Sequence, residues 1–336
     1  MDTAALDYDL PATAIAQTPV EPRDSARLLV DTGPGSPPEH RHVRDLPSFV
    51  GPGDVVVINT TRVLPARLRF TKPTGGAVEV LLLESWGEGD WDALVRPSRK
   101  VHPGSVFPLG DDATLTVGED MGQGRRAVEV SLADGQDLLT VLERHGEVPL
   151  PPYITTALAD PERYQTTYAD RPASVAAPTA GLHLTRALLE DLRAAGALVV
   201  PVELVVGLGT FRPIVVDTVE DHEMHAERFS VPHSTMLACE RAERVVAIGT
   251  TSVRALESAA TTGELEGSTD LFIHGDRPFA VVDVLMTNFH QPRSSLLALV
   301  DAFVGPRWRA LYEQALGEGY RFLSFGDAML LSGARG

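Results

Sequence analysis

The side chains best suited to moving protons and gripping anions fall into a few short stretches of this sequence, each beside a glycine, a proline or a group of hydroxyls. Ala177 to Thr185 (APTAGLHLT) sets Thr179 and His183 just ahead of a helix-like run. Turn residues there leave backbone N–H groups free at the helix start, where negative charge is favoured. His183 reads as a base or a ligand anchor, or equally as a histidine on the rim of a helix capped by Thr185. Glu220 to Phe229 (EDHEMHAERF) concentrates His222, Glu223, His225 and Glu227. The zinc motif HExxH needs histidines four apart on one helical face, and these are three apart, so the cluster does not require a metal. In an extended chain Glu223, His225 and Glu227 share a face. A histidine between carboxylates keeps its proton more readily, which suits a general acid; a solvated charged loop is the alternative.

Three further stretches follow apolar runs. Val206 to Phe211 (VGLGTF) brings Gly207, Gly209 and Thr210 after a strand-like segment, where glycines let backbone approach a ligand. The third glycine of a dinucleotide fingerprint is missing and Pro213 interrupts the helix that should follow, so a nicotinamide cofactor is not expected. Ile248 to Glu257 (IGTTSVRALE) leads into Thr250, Thr251 and Ser252, then a helix bearing Arg254 and Glu257. The hydroxyls can cap that helix and present donors to a carboxylate or phosphate, while Arg254 and Glu257 also fit a surface pair. Met286 to Pro292 (MTNFHQP) follows a run ending in Asp283 and holds Asn288 and His290. Polar groups past the carboxyl end of such a strand lie where open α/β sheets bind ligands.

The elements that must carry these residues separate into two textures. From about Leu64 to Leu150, short β-like runs (Ala77 to Leu83, Trp91 to Val95, Ala113 to Val117, Ala127 to Leu132) alternate with Gly- and Asp-rich turns, the pattern of a small barrel or sandwich. Beyond Pro172, helices and strands alternate: helix 185–195, strand 197–206, helix 233–243, strand 244–248, helix 253–260 and strand 279–284. The buried-looking run Asp54 to Asn59 (DVVVIN) precedes the β-rich block yet suits the α/β sheet. The fold class is therefore an α/β domain, residues 1–62 and 152–336, with an inserted small β-barrel domain at 63–151. The run Gly33 to Pro38 reads as a hairpin tip.

A chain of 336 residues with 43% hydrophobic content has enough material for about two packed domains. The acidic N-terminus lacks the pattern of a secretory signal and no apolar run approaches the ~18 residues of a membrane span, so a cytoplasmic protein without membrane contact is expected. The lone Cys239 excludes an internal disulfide and has no neighbouring His or Lys to lower its pKa. A formal charge of −17 argues against broad nucleic-acid binding, so an RNA partner has to be met by a local patch. Arg62, Arg67, Arg96, Arg99 and Lys100, in and beside the β-rich block, are the candidate phosphate contacts.

Together these stretches resemble a single family. LPATAIAQTPVEPRDSARLLV near the N-terminus, NTTRVLPARL, LVRPSRKVHPG, GEVPLPPYI, APTAGLHLT, VGLGTFRPI, HEMHAERF, GTTSVRALES, VVDVLMTNFHQPRSSLL and YRFLSFGDAMLL are similar to the S-adenosylmethionine:tRNA ribosyltransferase-isomerases of queuosine biosynthesis, in order and over nearly the whole chain. The resemblance implies that S-adenosylmethionine serves as a ribosyl donor. Its ribosyl moiety passes to 7-aminomethyl-7-deazaguanine in the tRNA anticodon, giving epoxyqueuosine, adenine and methionine. The sulfonium acidifies the 5′ methylene, so a base can start the rearrangement and an acid can assist adenine departure. On that basis His183, His225 and Glu227 are assigned to proton transfer and His222, Asn288 and His290 to orienting substrate. Thr251, Ser252 and Arg254 are assigned to the methionine end, and Thr179, Gly207, Gly209, Thr210 and Asp283 to the rest of the substrate site. No cofactor beyond S-adenosylmethionine, no metal, and a monomer acting on the tRNA anticodon stem-loop are expected. The chain departs from the family pattern at Thr60, at Val205 and at Gly275 to Arg277. These departures leave two other readings open: a relative with a small-molecule acceptor, and a non-catalytic RNA- or nucleoside-binding protein.

Overall fold

The computed structural model describes residues 1–72, 74–207 and 213–333. They form two compact units, one of Met1–Arg62, Pro151–Arg171 and Ala177–Gly336, the other of Val63–Leu150 with Pro172–Ala176.

The larger unit is mixed α/β. Its nine-stranded sheet contains β1 (Arg27–Val30), β2 (Glu39–His42), β3 (Asp54–Asn59), β4 (Leu198–Leu204), β5 (Glu227–Ser230), β6 (Arg244–Ile248), β7 (Glu266–Thr269), β8 (Val284–Asn288) and β9 (Ala328–Ser332), in the order β7-β5-β4-β3-β6-β8-β9-β1-β2. The central strands β4, β3, β6 and β8 run parallel. Every residue of β3 is buried, as expected for a β-branched run covered on both faces. Alternation divides it: Val55 and Val57 join one core with Val245, Ala247 and Leu285, while Val56 and Ile58 join the other with Val246, Ile248 and Met286. The first core is closed by α3 (Thr250–Thr262), α4 (Ser295–Val304) and α5 (Trp308–Gly317) through Val253, Leu256, Leu297 and Tyr312. The second is closed by α1 (Arg186–Ala194) through Leu188, Leu189 and Leu192. The remaining long helix is α2 (His233–Arg241), which buries Cys239, and desolvation pushes that thiol up to about 11. No helix among the described residues is long and apolar enough to cross a membrane.

The smaller unit is a seven-stranded antiparallel sheet. Its strands are ordered Gly146–Glu147, Arg67–Thr71, Ala77–Gly87, Asp90–Arg96, Arg125–Leu132, Ala113–Gly122 and Ser105–Leu109. The runs separated by turns in the sequence are these strands. Their ladder pairing runs from Gly146–Glu147 to Ser105–Leu109.

The expected strand at 279–284 lies elsewhere. Pairing begins only at Val284 and continues to Asn288. The amides of Ala280, Val281 and Val282 donate instead to the carboxylate of Glu257, at 2.8, 2.9 and 3.1 Å. Glu257 sits on α3 at 2% exposure, so it is no surface partner of Arg254. Its two oxygens satisfy a segment that would otherwise bury unpaired N–H groups. Glu257→Gln replaces one acceptor by a donor facing those amides. Hydrogen bonds to charged groups contribute about 1.5–3 kcal/mol, so the variant should lose about 2–4 kcal/mol of unfolding free energy. Denaturant titration reads this; a loss under about 0.5 kcal/mol, the range of neutral surface changes, removes the tether from the stability argument.

Candidate functional site

Because β4, β3, β6 and β8 are parallel, their carboxyl ends share one edge of the sheet, and most of the polar stretches gather there. At the end of β6, Gly249 turns into α3 with φ +88°, a conformation that favours glycine, and its N–H donates to Met286 O at 2.7 Å. The helix starts at Thr250, earlier than the sequence suggested. Ser252 is fully buried and its hydroxyl donates to Ile248 O at 2.8 Å, a bond internal to the helix start. Thr251 Oγ1 is buried without a hydrogen-bond partner among the described residues.

One turn further along α3, Arg254 is 4% exposed and ion-paired with Glu227, and its Nε donates to Leu271 O at 3.2 Å. Glu227 Oε1 also accepts the Gly207 N–H at 3.0 Å. The pair thus joins three of the polar stretches: the segment after β4, the start of β5 and helix α3. Glu227 belongs to β5, where it pairs with Thr269 and turns inward. Residues 222–226 are not in a strand, so the shared face expected for Glu223, His225 and Glu227 does not form; Glu223 and His225 are exposed. His222 is half-buried against the Phe272 ring, and desolvation with the nearby His225 lowers its pKa.

The second focus is the short 3-10 turn Thr179–His183, which precedes α1 with Thr185 as its N-cap. Gly181 is required there, because a Cβ would lie 2.2 Å from the Tyr168 hydroxyl. Thr179 Oγ1 donates to Asn288 Oδ1 at 2.9 Å, and Asn288 Nδ2 donates to His183 Nε2 at 3.1 Å and to Asp327 O at 3.3 Å. The Arg23 backbone also hydrogen-bonds the ring of His183. Burial, reinforced by the charges of Arg321, Arg163 and Arg23, pushes His183 down to about 4. It is a neutral imidazole at pH 7. His290 lies just beyond, bonded through Nε2 to Thr287 Oγ1 at 2.9 Å, and burial pushes it down to about 3.

Clefts open on both sides of the His183–Asn288 pair. One is lined by Pro19, Val20, Arg23, Arg163, His183 and Ser324 among others. The other is lined by Tyr153, Thr179, Asn288, His290, Gln291, Ser294 and Ser324 among others. Tyr153, Ser324, Arg23 and Arg163 were not singled out from sequence. Tyr153, Ser324 and Arg23 lie in blocks carrying the resemblance, yet no local spacing links residues this far apart in the chain.

One expected site residue of the larger unit, Asp283, lies apart from this edge. Asp283 precedes β8 and accepts the Val245 N–H at 2.8 Å, at the opposite end of the strand from Asn288, because the strand runs later than expected. Arg62 is ion-paired with Glu162, and Arg67 donates to Leu150 O at 3.2 Å and approaches Glu79 at 3.9 Å. Arg96, Arg99 and Lys100 are exposed near the end of a strand of the smaller unit. Gly209 and Thr210 lie outside the described residues.

A family model described as queuosine biosynthesis protein matches residues 3–331. The S-adenosylmethionine:tRNA ribosyltransferase-isomerase of Rubrobacter xylanophilus is 51% identical, over 99% of this chain and 98% of its own length. That of Thermus thermophilus is 52% identical over 97% and 98%. The crystal structure of an S-adenosylmethionine tRNA ribosyltransferase from Thermotoga maritima is 36% identical with a TM-score of 0.55, covering 97% of this chain and 99% of that one. With relatives of this identity aligned from end to end, the chain belongs to the queuosine biosynthesis family of S-adenosylmethionine:tRNA ribosyltransferase-isomerases.

Proposed function

We propose that this enzyme transfers and isomerises the ribosyl moiety of S-adenosylmethionine onto 7-aminomethyl-7-deazaguanine in tRNA, forming epoxyqueuosine with release of adenine and methionine. The structural observation that carries the site assignment is the neutral, buried His183, held by Asn288 at the carboxyl edge of the sheet between two clefts. A base for the acidified 5′ methylene has to be unprotonated at working pH and shielded from water, and burial gives His183 both properties. Its Nε2 lone pair is parked on the Asn288 amide and is freed by a small rotation of either group. Asn288, Thr179 and His290 then orient the substrate beside it.

Arg254 and Thr251, one helical turn apart on α3, offer a guanidinium and a free hydroxyl to the methionine end. Ser252 contributes through the position of the helix start. Glu227 holds Arg254 and takes part in proton transfer only if that pair opens. His222 and His225 lie on the exposed stretch before β5 and act on the reaction where bound RNA covers it. The inserted unit, taken as a small β-barrel, presents Arg96, Arg99 and Lys100 to the anticodon stem-loop. The protein is taken to work in the cytoplasm as a monomer, with S-adenosylmethionine as its only co-substrate.

Incubation with S-adenosylmethionine and anticodon RNA bearing 7-aminomethyl-7-deazaguanine should release adenine in step with a matching gain in RNA mass. Adenine release without RNA mass gain would transfer the assignment to another acceptor. For His183, the ring resonance should titrate with a midpoint near 4 in NMR. The competent form is the neutral one, so activity from this group persists above that midpoint and is lost as pH falls through it. Folding follows the same sign: the unfolded imidazole binds its proton near 6.5 and the folded one only near 4, so stability drops as pH falls across that window. A midpoint at 6 or above contradicts the assignment. His183→Asn should keep the fold and lower turnover by about 10²–10⁴-fold, the range for general acid–base groups.

A further inference from the structure

The cleft on the far side of His183 is lined by Arg23 and Arg163, and Arg321 lies on the segment leading into its wall residues Ser324 and Phe325. Arg23 donates to the carbonyls of Gln165 (2.6 Å), Leu182 (3.3 Å) and Glu162 (2.9 Å). Arg321 donates to the carbonyls of Thr18 (3.1 Å) and Phe325 (2.9 Å). Among the described residues neither has a carboxylate within ion-pair distance; Glu21, Asp160 and Glu162 act on Arg23 from farther away. Arg163, only 12% exposed, pairs with Glu21 through one nitrogen and donates to Val20 O at 2.7 Å through another. Carbonyls fix a guanidinium in place without cancelling its charge. All three arginines act electrostatically on His183.

The segment carrying Arg321 is itself constrained. Leu323 has φ +68°, a left-handed conformation rare for a leucine, and strain of this kind costs of order 1–3 kcal/mol. It is held by Leu323 N to Phe289 O (3.1 Å), Asp327 N to Arg321 O (2.7 Å) and Arg321 N to Asp327 Oδ2 (2.8 Å). The strained turn places Ser324 in the walls of both clefts, where its hydroxyl meets Tyr153 at 2.7 Å. The two clefts differ in chemistry: one holds arginines, the other neutral hydroxyls, amides and an uncharged histidine.

We infer that the arginine-lined cleft is an oxyanion subsite for an RNA phosphate next to the target nucleotide, built by Arg23 and Arg163, with the charge of Arg321 behind its wall residues Ser324 and Phe325. This rests on the tRNA reading above and adds to it a location that the surface arginines of the inserted unit do not supply. A chain of charge −17 repels a polyanion at long range, so the contact that orients the target has to be local, and here Arg23 is held by carbonyls with no carboxylate at ion-pair distance among the described residues. The planar fork of Arg suits a phosphate, and the same fork would accept the carboxylate of the methionine moiety. The test therefore separates those two anions.

Binding of labelled, unmodified anticodon stem-loop RNA is measured across a salt series, and binding of S-adenosylmethionine by calorimetry, for the full-length wild type, Arg23→Gln, Arg163→Gln and Arg23→Lys. Loss of one phosphate contact should flatten the slope of log affinity against log salt by about 0.7–0.9 and weaken RNA binding roughly fivefold at low salt in each Gln variant. S-adenosylmethionine affinity should stay unchanged. Arg23→Lys loses the three-carbonyl clamp but keeps the charge, so its slope should remain that of the wild type, which a purely structural role does not predict. If Arg23→Gln does not fold, Arg163→Gln carries the test. An unaltered slope in the folded Gln variants overturns the subsite. So does a loss of S-adenosylmethionine affinity with RNA binding intact, which assigns the cleft to the methionine carboxylate. Absence of salt-dependent RNA binding by the wild type removes the tRNA reading along with it.

Discussion

The amide of Asn288 is fully buried at the end of β8, and its satisfaction fixes much of the site around it. An amide group buried without partners costs about 1–3 kcal/mol. Here Oδ1 takes the Thr179 hydroxyl, and Nδ2 is shared between His183 and the carbonyl of Asp327. One side chain therefore ties a central strand, the entry of β9 and the 3-10 turn before α1. Because the bond from Asn288 occupies Nε2 of His183, it also sets which nitrogen carries the lone pair. The tautomer, the position of the turn and the separation of the two clefts all follow from that constraint.

A second layer of buried polar contacts positions α3. Arg254 and Glu227 are both almost wholly buried, and the attraction between two charges taken out of water is offset by their desolvation. Such a pair adds little net stability relative to apolar residues of the same volume. It does impose a geometry: the start of β5, the Gly207 amide and the first turn of α3 must meet at one point. Glu257 acts in the same way one turn later by gathering the amides of Ala280 to Val282. Helix α3 is thus pinned by charged side chains at successive turns, and the loop preceding β8 is pinned to it.

Much of this was legible in the sequence wherever a local rule was sufficient. The β-branched run Asp54–Asn59 is a buried central strand, and Thr185 caps α1 as its place before an amphipathic run suggested. The sequence failed where a distant side chain overrode local pattern. FAVVDV has the texture of a strand, but its amides are claimed by a carboxylate more than twenty positions earlier. Arg254 and Glu257 stand at the spacing of a surface ion pair, yet both are buried and turn to different partners. Glu227 alternates correctly with His225 on paper, but the strand begins only at Glu227, so the alternation has no ladder to act on. Ser324, Tyr153 and Arg23 are hundreds of residues apart in part, and only the parallel topology brings them together.

The opposition between an acidic chain and a polyanionic partner is resolved by distance. At physiological ionic strength the Debye length is about 8 Å, so the surface carboxylates of this chain are largely screened from a phosphate seated more than one such length away. What the phosphate meets is the charge within a few ångströms, and there the partners of the guanidiniums matter more than their number. An arginine locked to a carboxylate, as Arg62 is to Glu162, has already spent its charge locally. An arginine locked to carbonyls, as Arg23 and Arg321 are, is equally ordered yet keeps it. Burial first, and then the same positive field, keep the imidazole of His183 unprotonated, because a further cation beside three guanidiniums is unfavourable. A cleft that attracts a phosphate and a histidine that stays a base are in this way two consequences of one arrangement of charge.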